Sequence, residues 1–190
     1  MAKLGKVVIL SGASSIGKGE IKKELLADPS LALNEAISMT TRPKKGNEVD
    51  GRDYYFVDYR TFADAVKNKE LLEYTEFNGY YYGTPRAQVE SLTKWGKNVL
   101  IEANTEGVGP LKLNIPEALA IYIVPESMEE LEDHIMAVYG DDMASAQRRI
   151  NKARMEMEMA SLFNNQVKKA SVEECVVDCK NMITEFLNKD

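Results

Sequence analysis

Val7-Val8-Ile9-Leu10-Ser11-Gly12-Ala13-Ser14-Ser15-Ile16-Gly17-Lys18-Gly19-Glu20 lies close to the amino terminus. Residues 6–10 read as a buried strand: a short β-branched run leading into a glycine-bounded turn. Residues 17–27 read as a helix, closed by Asp28-Pro29. Between them stands G-x-x-x-x-G-K. Gly12 and Gly17 let the backbone curl until consecutive N–H groups point inward. The positive end of the following helix faces the same spot, and Lys18 adds a full charge. Gly12, Ala13, Ser14, Ser15, Ile16, Gly17, Lys18, Gly19 and Glu20 are therefore the candidate phosphate-binding set. One position departs from the pattern. A Ser or Thr after the lysine would offer a hydroxyl to Mg²⁺, and this chain has Gly19, followed by Glu20. Mg²⁺ keeps several waters and takes one or two protein ligands, so the loss need not abolish its binding.

Working outward, β-branched runs alternate with amphipathic stretches. Residues 36–39, 98–101 and 119–124 read as further strands, each followed by helical material. Ser127 reads as an N-cap, with Glu130 completing a capping box for a helix over 127–138. Residues 175–177 read as a last short strand and 181–187 as a last helix. Ile150, Met155, Met159, Leu162 and Phe163 read as one apolar helical stripe. Buried strands separated by helices imply an α/β fold with a mostly parallel sheet covered on both faces. Residues 40–84 differ, with basic residues, glycines and many tyrosines. Residues 54–57 and Leu71–Phe77 read as strands, and 80–83 as the end of one and a turn. This region reads as a small mixed or antiparallel insertion in the core.

Composition narrows the function classes. The 190 residues suit one domain with a small inserted subdomain. A net charge of −6 disfavours nucleic acid as the main partner. No apolar run approaches the roughly 20 residues of a membrane span, and no secretory signal is legible. Two cysteines, Cys175 and Cys179, make no disulfide framework and read as packing residues. A cytoplasmic protein with reduced thiols is the expectation. His134 reads as a solvated helix residue, since no Cys/His cluster has zinc-ligand spacing.

Ser38-Met39-Thr40-Thr41-Arg42-Pro43, the stretch Glu48 to Val57 (EVDGRDYYFV) and Tyr81-Tyr82-Gly83-Thr84 resemble guanylate kinase, in the family's order after the phosphate loop. The resemblance implies a P-loop nucleoside monophosphate kinase fold and phosphoryl transfer from ATP to GMP with Mg²⁺. It divides the chain into a core (1–35, 85–125 and 165–190), a GMP-binding insertion (36–84) and a lid (126–164). Carried over by position, Arg42, Tyr54 and Tyr82 match contacts to the GMP phosphate. Lys45 stands where the family usually has a second Arg, offering a point charge instead of a bidentate fork. Ser38, Glu73 and Thr84 match guanine contacts. A carboxylate accepts from the guanine N1–H and exocyclic amine, an edge that adenine lacks.

Two further departures bear on activity. Residues 99–104 occupy the place of a strand ending in D-x-D. Glu102 keeps a carboxylate there, a candidate metal contact through water, and Asn104 replaces an Asp at the base site. After the helix at 127–138 the family's lid arginines thin to Arg148 and Arg149, of which Arg149 best matches a contact to ATP phosphates. The expected catalytic cations are thus Lys18, Arg42 and Arg149. The expected function is a guanylate kinase, with reduced activity allowed, acting as a monomer or homodimer on ATP and GMP. Its alternatives are a catalytically silent nucleotide- or protein-binding relative, or a kinase for another monophosphate.

Overall fold

The computed structural model describes residues 3–189. In chain order its elements are β1 (Val7–Gly12), α1 (Lys18–Ala27), β2 (Leu33–Glu35), β3 (Met39–Thr40), β4 (Tyr55–Phe56), α2 (Tyr59–Lys67), β5 (Leu71–Phe77), β6 (Tyr80–Pro85), α3 (Arg86–Lys94), β7 (Asn98–Glu102), α4 (Thr105–Asn114), β8 (Leu119–Pro125), α5 (Met128–Tyr139), α6 (Met143–Ala160), β9 (Gln166–Lys169) and α7 (Val172–Asn188). Five strands form a parallel sheet in the order β2-β7-β1-β8-β9. The fold is α/β, with helices on both faces.

The alternation of the central strands explains why both faces are covered. Val8 and Leu10 of β1, Leu100 of β7 and Ile121 and Ile123 of β8 point to one side and join the larger core with Ile21, Leu25, Ile135 and Ile183. Val7, Ile9, Val99 and Ile101 point to the other side and pack with Val89, Val108 and Leu111. A strand reverses its side chains at every residue, so an unbroken apolar run can satisfy only a sheet buried twice. Between β2 and α3 lies a second sheet, β4-β3-β6-β5, in which β3 pairs parallel with β4 and antiparallel with β6. Its small core is Phe62, Ala65 and Leu71.

Four local expectations are corrected. Residues 36–39 do not form one strand: Leu33–Glu35 ends in the large sheet and Met39–Thr40 begins the small one. Residues 80–83 are a strand, and the turn falls before them at Asn78 and Gly79, both at positive φ (52° and 78°). Residues 175–177 lie inside helix α7, whose N-cap Ser171 accepts from the Glu174 N–H. The last strand is instead the polar Gln166–Lys169 at the sheet edge. The apolar stripe over 150–163 is split: Ile150 is in the core and Phe163 stacks on Tyr122, whereas Met155 and Leu162 are 67% and 74% exposed, and the buried face of α6 is Ala146, Ile150, Ala153, Glu156 and Ala160. Small residues let α6 lie close against α5 and β8.

That packing makes a contrast measurable. Ala153→Leu should overpack the α6 interface and cost about 1–3 kcal/mol in urea unfolding, whereas Met155→Ala should change stability by less than about 0.5 kcal/mol. The reverse order would place Met155 in the core.

Candidate functional site

Parallel strands open their carboxyl ends at one rim of the sheet, and ligands of such folds bind there. β1 delivers the glycine loop to this rim. Gly12 has φ +151°, and a Cβ on it would stand 2.5 Å from the Ile123 carbonyl oxygen. Gly17 has φ +88° and caps α1 without a side chain. A Cβ on Gly17 would stand 3.0 Å from Lys169 Nζ, so a cation from the end of β9 reaches the loop. The Lys18 ammonium donates to the carbonyls of Gly12 (2.8 Å) and Ala13 (3.1 Å). Burial lowers its pKa, and Glu102 and Glu156 oppose that shift. Ser11 Oγ and Ser15 Oγ are buried without a hydrogen-bond partner.

β7 delivers a second recess to the same rim. Ser38, Tyr54, Glu73, Tyr82, Glu102 and Asn104 line it, together with Lys22, Thr75 and Phe77. Glu73, at 7% exposure, is its buried carboxylate. Thr84 Oγ1 donates to Glu73 Oε1 at 2.6 Å from behind the wall. A Cβ on Gly107 would stand 2.8 Å from Glu73 Oε2, so the bare backbone of α4 makes room for this group. Burial pushes the Glu73 carboxyl up to about 7, against the pull of the Thr84 hydrogen bond. Asn104 precedes α4 and donates from Nδ2 to Thr75 Oγ1 at 3.0 Å, leaving the helix cap without a side-chain bond.

Arg42 is held in a fork with Glu48, at 2.7 and 3.0 Å. Its guanidinium lies 5.4 Å from the Tyr54 ring centroid, and the Tyr54 and Tyr82 rings meet edge to face. Glu48 holds the Arg42 pKa above its ordinary value, and Arg42 in turn draws the Glu48 carboxyl down to about 2. Arg42 and Lys45 are not part of the recess wall. Lys45 is exposed, and it is its backbone N–H that meets Glu48. Arg149 stacks on Tyr139, its Cζ 3.9 Å from the ring centroid, with Nε buried and unbonded.

Several residues of this rim escape a reading by motif. Lys22 bridges Glu35 (2.6 Å) and Glu102 (2.9 Å). Burial works against its charge, yet the two carboxylates keep its pKa above the ordinary value. It lies one helical turn after Lys18, and that i,i+4 spacing was its available signal. Glu156 of α6, at 3% exposure, accepts from the Ser14 N–H of the glycine loop at 2.6 Å. The signal for it was a carboxylate in register with Ala146, Ile150, Ala153 and Ala160 on the buried face. Lys152 stands 3.8 Å from Glu156 and 3.7 Å from Glu106.

Among the described residues no three His, Cys, Asp or Glu side chains gather into a cation cage. Gly19 has open space around its missing side chain, and one oxygen of Glu102 is tied to Lys22. This donor set fits a hard cation that brings most of its ligands with it on phosphate oxygens and water.

Glu73 makes the stability depend on pH. Its carboxyl rises from an ordinary 4.5 to about 7 on folding, so between those values the native state binds more protons than the unfolded one. Its contribution is therefore fully present below pH 4.5 and is lost as pH rises through 7. The unfolding free energy of the wild type minus that of Glu73→Gln should fall by about 3 kcal/mol over this window. A flat difference in urea titrations from pH 4 to 8 would mean that folding leaves the Glu73 pKa unchanged.

The family model described as guanylate kinase matches residues 4–186. The chain is 39% identical over 180 residues to a guanylate kinase of Thermus thermophilus, covering 95% of this chain and 81% of that protein. It is 38% identical to a guanylate kinase of Mesoplasma florum, covering 100% of this chain and 63% of that protein. The crystal structure of guanylate kinase from Anaplasma phagocytophilum superposes with a TM-score of 0.79 at 25% identity, covering 100% of this chain and 89% of that one.

Proposed function

The chain belongs to the guanylate kinase family, and from that premise we propose that it transfers the terminal phosphoryl group of ATP to GMP, giving ADP and GDP. One observation carries the reading: a phosphate-binding loop and a recess with a buried carboxylate open side by side, because β1 and β7 are hydrogen-bonded neighbours.

In this reading the guanine enters the recess. Glu73 accepts from N1–H and the exocyclic amine, and Ser38, Thr84 and Asn104 complete the polar surround. The burial of Glu73 supports this role, since a desolvated carboxylate strongly favours a base that supplies two donors. Arg42, Tyr54 and Tyr82 receive the GMP phosphate, with Lys45 contributing long-range charge. The Arg42–Glu48 fork keeps the guanidinium oriented before the phosphate arrives. The backbone amides from Gly12 to Glu20 cradle the ATP phosphates, and Lys18 leaves its two carbonyl partners for phosphate oxygens.

No protein group forms a covalent bond. Residues 36–84 and the lid segment 126–164 align the donor and acceptor and exclude water, and Lys18, Arg42 and Arg149 hold the spreading negative charge. A magnesium ion carried in on ATP would neutralise charge between its phosphates, with Glu102 holding it through water. All of these groups come from a single chain. No described helix is long and apolar enough to cross a membrane. With two free buried thiols, we read the protein as cytoplasmic.

A coupled assay with ATP, Mg²⁺ and a panel of GMP, dGMP, IMP, AMP and UMP should give ADP with GMP as the preferred acceptor. No ADP above background at micromolar protein would overturn the kinase reading. Lys18→Ala should cut turnover at least about 100-fold. GMP binding at pH 7 should also release about half a proton, because the incoming donors favour ionised Glu73. Calorimetry in buffers of different ionisation enthalpy reads this release, and Glu73→Gln should abolish it.

A further inference from the structure

The phosphoryl-transfer reading leaves Lys152 unassigned. Lys152 projects from α6, three residues after Arg149 and four before Glu156, so all three share one helix face. Its ammonium lies 3.7 Å from Glu106 and 3.8 Å from Glu156, and its side chain is 24% exposed. Those separations exceed the roughly 2.7–2.9 Å of a closed ionic hydrogen bond. Lys22 shows the contrast, tied to two carboxylates at 2.6 and 2.9 Å. Lys152 is held near its carboxylates with its donors unspent.

Its surroundings place it at the junction of the two recesses. Glu156, the nearer partner along the helix, is itself hydrogen-bonded to the Ser14 N–H of the glycine loop. On the other side, Lys152 Nζ lies 5.0 Å from the centroid of Phe77, whose ring lines the recess containing Glu73. Lys18 is close enough that the charge of Lys152 lowers its pKa. Two ammonium groups from separate elements thus approach one place, and Glu102 and Glu156 offset their mutual repulsion there until a polyanion arrives.

We propose that Lys152 is a catalytic residue, a second lysine that contacts the phosphoryl group in transit between ATP and GMP. The proposal rests on the kinase reading given above. In the step itself, an oxygen of the GMP phosphate bonds to the γ-phosphorus while the bond from that phosphorus to the β–γ bridging oxygen breaks. ADP leaves with the electron pair. Lys152 exchanges no proton and stabilises the charge on the oxygens of the moving group, opposite Lys18. It supplies charge from α6, on the helix face that also carries Arg149. Glu156 and Glu106 keep the ammonium poised between substrates, and the loop amide keeps Glu156 in place.

The test compares wild type with Lys152→Gln and Lys152→Arg. Each is measured for kcat, for KM with ATP and GMP, and for Tm. Lys152→Gln should lower kcat about 100-fold with both KM values changed less than about fivefold, because the contact is made to the transferring group. Lys152→Arg should recover kcat to within about tenfold of wild type. Affinity for ADP with GMP and aluminium fluoride, which mimics the planar phosphoryl group, should fall in Lys152→Gln while affinity for ADP and GMP alone is kept. If Lys152→Gln lowers Tm, Lys152→Met keeps the stem over Phe77 and carries the same comparisons. A kcat within about threefold of wild type in the neutral variants, or an arginine variant as slow as they are, overturns the role of Lys152 and leaves the kinase reading intact. A wild type inactive on GMP overturns both.

Discussion

The parallel pairing of β1 with β7 is the constraint on which the site depends. Val7 to Leu10 run in register with Val99 to Glu102, so the two strands end at the same rim. One exit becomes the glycine loop and the other becomes Glu102, Ala103 and Asn104. The spacing between the two recesses is therefore the spacing of two hydrogen-bonded strands, held rigid by a sheet buried on both faces. A loop scaffold would not hold donor and acceptor phosphates at a constant separation, and effective alignment accounts for much of what a phosphoryl-transfer site contributes.

The distribution of charge around that rim follows from the need to bring polyanions together. Cations arrive from three elements: Lys18 and Lys22 from α1, Lys152 from α6 and Lys169 from β9. The acidic groups Glu35, Glu102, Glu106 and Glu156 keep them from repelling one another. The net charge of −6 consequently says little about this surface, where locally positive side chains face a common space. Glu156 also joins α6 to the glycine loop through one short hydrogen bond, so movement of that helix and the shape of the loop are coupled.

The strand-loop-helix unit at the amino terminus was legible because each of its signals is local: an apolar run, two glycines and a lysine at set spacing. Leu71–Phe77, Asn98–Glu102 and Leu119–Pro125 were legible for the same reason, as apolar runs bounded by turns. The carboxyl-terminal strand was not. Gln-Val-Lys-Lys is an edge strand with one buried residue, Val167, and carries almost no periodic signal. Cys175-Val176-Val177 has β-branched character, yet Ser171 and Glu174 had already begun a helix there, and the cap outweighed the propensity. In α6 Met155 is exposed while three alanines and Ile150 face the core, because close helix packing selects for small residues, which carry a weak apolar signal.

Sequence by itself determined the α/β class, the phosphate loop and the presence of the tyrosines and the carboxylate of the second recess, since these are set by residue type and short spacing. Only the tertiary structure decided which charges meet. It joined Arg42 to Glu48, Lys22 to Glu35 and Glu102, and Glu156 to Ser14, and it brought Lys152 between the loop and Phe77. The physical reason is that a charge's protonation, orientation and reach depend on burial and on distant neighbours, 142 positions away along the chain for Glu156 and Ser14, and a linear pattern carries neither.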